Sequence, residues 1–148
     1  MASAARFSAE SKRRVFADTS YFLALLRPRD THHSEAVEIS EEVVRERLTV
    51  YTTWEVVVET ATLLRYRANF ESARMFLLDV VPHLVVIQPL EAEREAAIQT
   101  FVRRGRDLRL SLCDAISYII VSARLNRAPC LTFDADFVAL GLTILRRR

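Results

Sequence analysis

The chain has 148 residues, of which 51% are hydrophobic, with two glycines and four prolines. This composition predicts one ordered domain over residues 13–148, preceded by a flexible leader at residues 1–12. A net charge of +2 does not by itself indicate nucleic-acid binding. No apolar run approaches the roughly 18–20 residues that span a bilayer, and the leader lacks the apolar region of a signal peptide. We therefore expect a cytoplasmic protein without membrane contact, in which Cys113 and Cys130 are buried free thiols.

Short apolar runs alternate with longer segments of helical period along the chain. We predict strands at residues 14–17, 48–51, 84–87, 130–133 and 143–145. Helices are predicted at residues 20–26, 33–47, 54–67, 70–80, 90–104 and 112–125. This alternation predicts an α/β domain in which helices cover both faces of a parallel sheet. Ligands bind beyond the carboxyl ends of the strands in such sheets, so functional side chains are expected there.

Acidic side chains directly follow two of the predicted strands. Asp18 comes after the apolar run that ends at Ala17, and Asp134 and Asp136 come after the strand that ends at Phe133. A helix N-cap or a turn would also use these residues. Position at a strand end favours a functional role for Asp18, and two neighbouring acids at residues 134 and 136 favour metal binding modestly.

Two further acids lie in predicted helices. Glu59 is one turn after Glu55, for which we predict a structural role as the partner of Thr52 in a capping box. Glu59 has no comparable local role, so a solvated helix face and a functional site explain it equally well. Asp114 matches a capping box with Ser111, and within that segment alone the structural explanation is the stronger.

The acids are more informative together than singly. Three of the acidic segments follow or border the same predicted sheet edge, where carboxylates would raise one another's pKa values unless a cation neutralised them. Oxygen ligands without histidine or thiolate favour Mg²⁺ or Mn²⁺ over zinc. His32 and His33 precede a predicted helix, and we assign them to the helix start rather than to ligation.

Several segments match the order and spacing of a known family. They are Phe16-Ala17-Asp18-Thr19-Ser20-Tyr21-Phe22-Leu23-Ala24-Leu25-Leu26, His33-x-x-Ala36, Thr52-Thr53 with Glu59-x-x-x-Leu63-Leu64, Leu110-Ser111-Leu112-Cys113-Asp114-Ala115, Leu131-Thr132-Phe133-Asp134-Ala135-Asp136-Phe137 and Gly141-Leu142. In these segments the chain resembles the PIN domain family, in particular the VapC-like toxins of bacterial toxin–antitoxin pairs. The match covers nearly the whole chain from residue 14 onward.

The resemblance implies a single nuclease domain with a three-layer α/β/α fold and a parallel five-stranded sheet. It implies hydrolysis of RNA phosphodiester bonds with Mg²⁺ or Mn²⁺ as cofactor. The catalytic acids would be Asp18, Glu59, Asp114 and Asp134, of which Asp18, Asp114 and Asp134 would be metal ligands. Supporting groups would come from Thr19, Ser20, Thr132 and Asp136. A homodimer and a cognate antitoxin are the protein partners that the resemblance suggests.

Four arginines precede the helix that carries Asp114. Arg103, Arg104, Arg106 and Arg109 could hold the RNA backbone, because guanidinium groups bind phosphate well. The first two could equally complement the carboxyl end of a helix. Lys12 is the only lysine of the chain, and a GC-rich genome would produce the same preference for arginine.

Two other classes of protein cluster acids at a sheet edge or keep the same fold. A phosphoacceptor receiver domain needs a lysine late in the chain, beside the phosphoryl group, whereas Lys12 precedes the first strand. A non-catalytic PIN-like adaptor, which binds RNA or protein, would keep the fold without requiring metal. Metal titration separates that adaptor from a nuclease.

Overall fold

Four parallel strands form one sheet in the order β3-β2-β1-β4. The computed structural model describes residues 13–146, so the expected leader at residues 1–12 lies outside the described residues. The strands are β1 (Arg14–Ala17), β2 (Thr49–Thr53), β3 (Val85–Ile87) and β4 (Cys130–Leu131). The helices are α1 (Thr19–Leu26), α2 (His33–Arg45), α3 (Trp54–Arg67), α4 (Phe70–Met75), α5 (Glu91–Arg104), α6 (Leu112–Ala123) and α7 (Ala135–Ala139).

The first strand lies at the centre of the sheet, as its apolar sequence requires. Val15, Phe16 and Ala17 are buried, which is typical of a parallel strand covered by helices. Phe16 pairs with Tyr51 of β2 on one side and with Cys130 of β4 on the other. The chain passes from β1 outward through β2 to β3 and returns across β1 to β4. The carboxyl ends of β1 and β4 therefore flank the point where the strand order reverses, which is where parallel sheets bind ligands.

The sheet has four strands, and the expected fifth strand is reduced to a single bridge. Ile144 pairs only with Cys130, on the outer side of β4. Two backbone hydrogen bonds hold it there, from Cys130 N–H to Thr143 O and from Leu145 N–H to Cys130 O. The fourth strand also ends at Leu131 instead of Phe133, because the N–H groups of residues 133 and 134 donate to side-chain hydroxyls. Those two residues are thereby directed into the site described below.

The segment predicted as one helix over residues 70–80 changes form along its length. The α-helix α4 gives way to a π-helical turn at Phe76–Val80 and a 3-10 turn at Val81–His83. Pro82 lacks the N–H group that a continuing α-helix would need. Phe76 is fully buried and lies against Phe22 of α1, with the ring centroids 5.2 Å apart. The irregular segment is thus anchored to the core by its aromatic residue.

Helices flank the sheet, and the α/β class predicted from the alternation of elements is confirmed. Helix α5 packs mainly on α6, whereas α1 packs on α2 and α3. The largest fully buried side chains include Phe16, Phe22, Phe76 and Phe137. Both cysteines are free as expected, although only Cys130 is buried and Cys113 is partly exposed. Within residues 13–146, no helix combines the length and the apolar character that a bilayer crossing would demand.

Candidate active site

Asp18 is a buried carboxylate at the carboxyl end of β1, with 3% of its surface exposed. One of its oxygens accepts hydrogen bonds from Ser20 Oγ at 2.7 Å and from the backbone N–H of Tyr21 at 3.1 Å. The other accepts a hydrogen bond from Thr132 Oγ1 at 2.6 Å. Burial raises the pKa of Asp18 to about 7, although these hydrogen bonds lower it and nearby Asp114 raises it further. The same residue is also the N-cap of α1, so both of its predicted roles are compatible.

The segment after β4 is tied to Asp18 through hydroxyl groups. Ser20 Oγ lies 3.2 Å from Thr132 Oγ1 and accepts a hydrogen bond from the Phe133 backbone N–H at 2.9 Å. Thr132 Oγ1 accepts a hydrogen bond from the Asp134 N–H at 3.0 Å. Asp134 in turn caps α7 by accepting from the Asp136 N–H at 2.9 Å. The two strand ends therefore form one hydrogen-bonded unit, which holds Asp134 beside the buried carboxylate.

Asp114 occupies the first turn of α6, and its capping box is present. Ser111 N–H donates to Asp114 Oδ2 at 3.0 Å, and Asp114 N–H donates to Ser111 Oγ at 3.0 Å. Burial raises the pKa of Asp114, the bonds to Ser111 lower it, and the charges of Asp134 and Glu59 raise it. Because Asp114 also raises the pKa of Asp18, it is electrostatically linked to all three other predicted acids. Helix capping thus places this carboxylate at the centre of the acidic group.

Cys113, Glu59 and Glu55 form a part of the site that the sequence only partly indicated. Burial raises the pKa of the Cys113 thiol, and the carboxylates of Glu59, Asp114 and Glu55 raise it further. The amino-terminal halves of α3 and α6 therefore lie close together. Glu55 was predicted to form a capping box with Thr52, and that prediction is wrong. Its Oε2 atom is buried and has no hydrogen-bond partner in the described chain.

The N-cap of α3 is not the threonine that the capping-box prediction used. Thr53 is the N-cap of α3 and accepts a hydrogen bond from the Val56 N–H at 3.2 Å. Thr52 is fully buried and donates its hydroxyl to Ala17 O at 2.8 Å. Consecutive strand residues face opposite sides of the sheet, so the two neighbouring threonines make different bonds. The bond supports the backbone immediately before Asp18.

The remaining predicted residues are connected less directly to the acidic group. Asp136 is in the first turn of α7 and meets Asp134 through its backbone. Thr19 is buried, but its hydroxyl has no partner among residues 13–146, so it does not support Asp18 directly. Arg104 donates to Ala139 O at 3.3 Å, at the end of α7. All four predicted RNA-binding arginines are exposed, on the last turn of α5 and in the segment leading to α6: Arg103, Arg104, Arg106 and Arg109.

Two aromatic rings at the edge of the site were not assigned to it from the sequence. His32 and Phe133 are stacked, with ring centroids 4.5 Å apart and planes 9° apart. The side chain of His32 makes no capping bond to α2, although the residue occupies the N-cap position. His33 is the first residue of α2, and its Nδ1 is hydrogen-bonded to Ala24 O at 2.8 Å. Adjacency of Phe133 to Asp134 was the available sequence signal, but its partner could not be known.

The donor atoms of the site suit a hard divalent cation. Carboxylate oxygens dominate, Glu55 Oε2 is buried without a partner, and negative neighbours raise the pKa of Asp114. Among residues 13–146, no three histidine, cysteine or acidic side chains already converge as a complete metal-binding group. Mg²⁺ usually needs only one or two carboxylates, because it retains water and takes oxygens from a phosphate substrate. The carboxylate donors present are therefore of the type that such an ion takes, and water and substrate oxygens would complete its coordination.

Comparison with known proteins agrees with this fold. The PIN domain family model matches residues 15–141. The chain therefore belongs to the PIN domain family, as its resemblance to that family predicted. No curated protein matches the chain.

Two solved structures illustrate the similarity. The Mycobacterium tuberculosis toxin VapC20, described as cleaving the sarcin–ricin loop, is 25% identical to this chain. The match has a TM-score of 0.78 and covers 90% of this chain and 99% of VapC20. FitAcB from Neisseria gonorrhoeae is 15% identical, with a TM-score of 0.62 over 89% of this chain and 96% of that one. The second match supports the fold alone.

Proposed function

We propose that the protein is a metal-dependent endoribonuclease that hydrolyses RNA phosphodiester bonds at the carboxyl ends of β1 and β4. The observation that carries this proposal is the buried carboxylate of Asp18, which Ser20 and Thr132 hold at the end of β1. The same Thr132 hydroxyl binds the Asp134 N–H, and Asp114 is near enough to raise the pKa of Asp18. Carboxylates gathered in this way repel one another, and a divalent cation bound among them would relieve that repulsion. Membership of the PIN domain family and the similarity to VapC20 support the same reaction class.

The protein's own residues would position the ion and the RNA. Asp18, Asp114 and Asp134 would be the ligands, with Glu59 completing the negative charge. Ser20 and Thr132 keep the buried carboxylate of Asp18 in one orientation. When bound, Mg²⁺ or Mn²⁺ would activate water and neutralise charge that develops on the phosphate. The exposed arginines at residues 103, 104, 106 and 109 would hold the RNA backbone on the approach to Asp114.

We also propose the biological setting that the similarity to VapC20 suggests. The protein would act in the cytoplasm as the toxin of a type II toxin–antitoxin pair, with a cognate antitoxin protein and as a homodimer. A neighbouring gene for a small antitoxin would test this assignment directly. Co-expression should then yield a stable complex, and the complex should cleave RNA more slowly than the free protein. A homodimer should appear at twice the mass of the chain in solution scattering.

The central experiment is cleavage of labelled RNA in a metal titration. The metal-free protein should be inactive, and Mg²⁺ or Mn²⁺ should restore cleavage in a saturable manner. An Asp114→Asn preparation, purified in parallel, controls for contaminating nucleases because it carries the same contaminants. Cleavage that EDTA does not diminish would overturn the metal mechanism. RNA binding without cleavage at any metal concentration would favour the non-catalytic PIN-like adaptor instead.

A further inference from the structure

A two-ring column stands at the edge of the acidic site. The imidazole of His32 and the ring of Phe133 are nearly parallel, and their centroids are 4.5 Å apart. His32 is exposed and Phe133 is half-buried, so the outer face of the imidazole is the accessible end of the column. Flat aromatic side chains of this kind are the usual stacking platform for unpaired nucleobases.

The backbone fixes the position of this column relative to the carboxylates. Phe133 lies between Thr132 and Asp134, and its N–H donates to Ser20 Oγ at 2.9 Å. Ser20 also donates to Asp18, so one hydroxyl fixes both the aromatic residue and the buried acid. Phe133 is therefore held directly beside Asp134, at the acidic group where a scissile phosphate would lie.

The His32 side chain has no role in the fold that would explain its position. It makes no capping hydrogen bond to α2. The residue is held instead through its backbone N–H, which donates to Asp30 Oδ1 at 2.9 Å. Replacement of the His32 side chain should therefore leave the start of α2 intact. Its one described ring contact is the stack on Phe133.

A cavity of about 500 Å³ opens beside the column, and its lining includes His32, Glu35, Phe133, Asp134 and Arg146. Its walls are otherwise largely apolar, from Ile39, Val138 and Ile144. An apolar cleft with an aromatic wall, the carboxylates of Glu35 and Asp134 and one guanidinium suits a base with its attached phosphate. The carboxylate of Glu35 can accept hydrogen bonds from ring or amino N–H groups, and Arg146 can pair with phosphate.

We propose that His32 and Phe133 form a nucleobase subsite, in which one unpaired base of the RNA stacks on the outer face of His32. The subsite rests on the proposed ribonuclease function and adds a means of selecting where the strand is cut. A base held there would place its neighbouring phosphate at the carboxylates, and RNA segments with unpaired bases would be preferred to duplex. His32 is thereby a positioning residue, since it acts on the base and not on the reacting phosphate.

The test uses short single-stranded RNAs carrying 2-aminopurine at successive positions, bound to the whole protein in EDTA so that the RNA stays intact. Stacking quenches 2-aminopurine fluorescence, and we expect strong quenching at one position. His32→Leu should remove that quenching and weaken binding by about 10-fold, in keeping with measured base–aromatic stacking. His32→Tyr should retain both, because it keeps a ring, whereas His32→Lys should behave like His32→Leu.

The exposed His83, which lies on the 3-10 turn, provides a matched control. His83→Leu should leave the quenching pattern unchanged, and thermal unfolding of each variant confirms that it is folded. If wild-type protein cleaves RNA with Mn²⁺ but His32→Leu keeps the quenching and the affinity, the subsite is wrong and the proposed function stands. Rescue by lysine instead of tyrosine would assign His32 to phosphate binding and overturn stacking. If wild-type protein neither binds nor cleaves RNA, the proposed function fails and the subsite fails with it.

Discussion

The candidate site has two sides that hold their acids in different ways. On the hydroxyl side, formed by Asp18, Ser20 and Thr132, the carboxylate is buried and accepts hydrogen bonds on both oxygens. On the carboxylate side, formed by Glu55, Glu59, Cys113 and Asp114, the capping box of Ser111 supplies one donor to Asp114. The other groups that act on these side chains are acids and a thiol. Each oxygen of the Asp18 carboxylate thus has a donor, whereas Glu55 Oε2 has none among residues 13–146.

This difference assigns separate tasks to the two sides. Buried carboxylates with fixed donors keep one geometry, because each departure would break a hydrogen bond in a medium of low dielectric constant. Crowded carboxylates with fewer donors repel one another, and a bound cation relieves that repulsion. We infer that the hydroxyl side determines where the ion binds and that the carboxylate side determines its binding affinity. The predictions below separate these contributions.

The largest effect is expected from Asp18→Asn. The substitution removes the only acid of the hydroxyl side, so metal-assisted cleavage should fall by about 10³-fold, which corresponds to several kcal/mol of lost stabilisation. The measurement is the single-turnover rate on labelled RNA with saturating Mn²⁺, with circular dichroism to confirm the fold. Asp79→Asn, at an exposed acid of the π-helical turn, is the matched control. Near wild-type turnover in Asp18→Asn would mean that Asp18 serves only as the N-cap of α1.

A smaller effect should distinguish Asp134 from its neighbour Asp136. Asp134 raises the pKa of Asp114, whereas Asp136 is held through its backbone in the first turn of α7. Asp134→Asn should lower turnover by roughly 10–100-fold at limiting Mn²⁺, as for other weakened metal sites, and should recover partly at saturating Mn²⁺. Asp136→Asn should change it only a few-fold. The reverse order would show that the match to the family is shifted by two residues after β4.

Thr132→Val tests whether the hydroxyl side fixes geometry. Valine keeps the shape but deletes the donor to Asp18 Oδ2, and that hydrogen bond lowers the pKa of Asp18. The pKa should therefore rise, and turnover should fall by about 10-fold, as when an outer partner of a metal ligand is lost. The loss should be greater at pH 6 than at pH 8. Thr132→Ser should restore the rate, and equal rates for valine and serine would remove any role for this hydroxyl.

The smallest effect concerns the stability of the metal-free protein. Burial raises the pKa of Asp18 to about 7 from its ordinary value of 3.8, so the folded state holds this proton more tightly than the unfolded state. The associated stability is complete below about pH 4 and is lost as the pH rises to about 7. Thermal unfolding in EDTA should therefore show Tm declining by several degrees over that range. The decline should be shallower in Asp18→Asn but not absent, because the pKa of Asp114 is also raised. Parallel curves for the two proteins would contradict the assignment of this slope to Asp18.

Much of the fold and the choice of acids followed from the sequence by itself. Strand β1 and the helices that begin near residues 33, 54 and 112 have local patterns of period and capping, which depend on neighbours within one or two turns. Strand-end acids were recognisable because the carboxyl edge of a parallel sheet is a recurrent site. Asp18, Asp114 and Asp134 each engage a helix start. The choice between a cap and a functional acid was therefore never exclusive, since one oxygen can cap while the carboxylate still carries its charge.

Only the tertiary structure decided which side chains share space across long separations. Thr132 and Asp18 are 114 residues apart in sequence, and His32 meets Phe133 through the packing of two different loops. The sequence placed the capping role on Thr52, whereas the sheet directs Thr52 to Ala17 O and leaves Thr53 to cap α3. The expected fifth strand is one bridge, since β4 has only two residues with which it could pair. Short-range patterns specify elements, but burial and long-range hydrogen bonds determine which atoms of those elements meet.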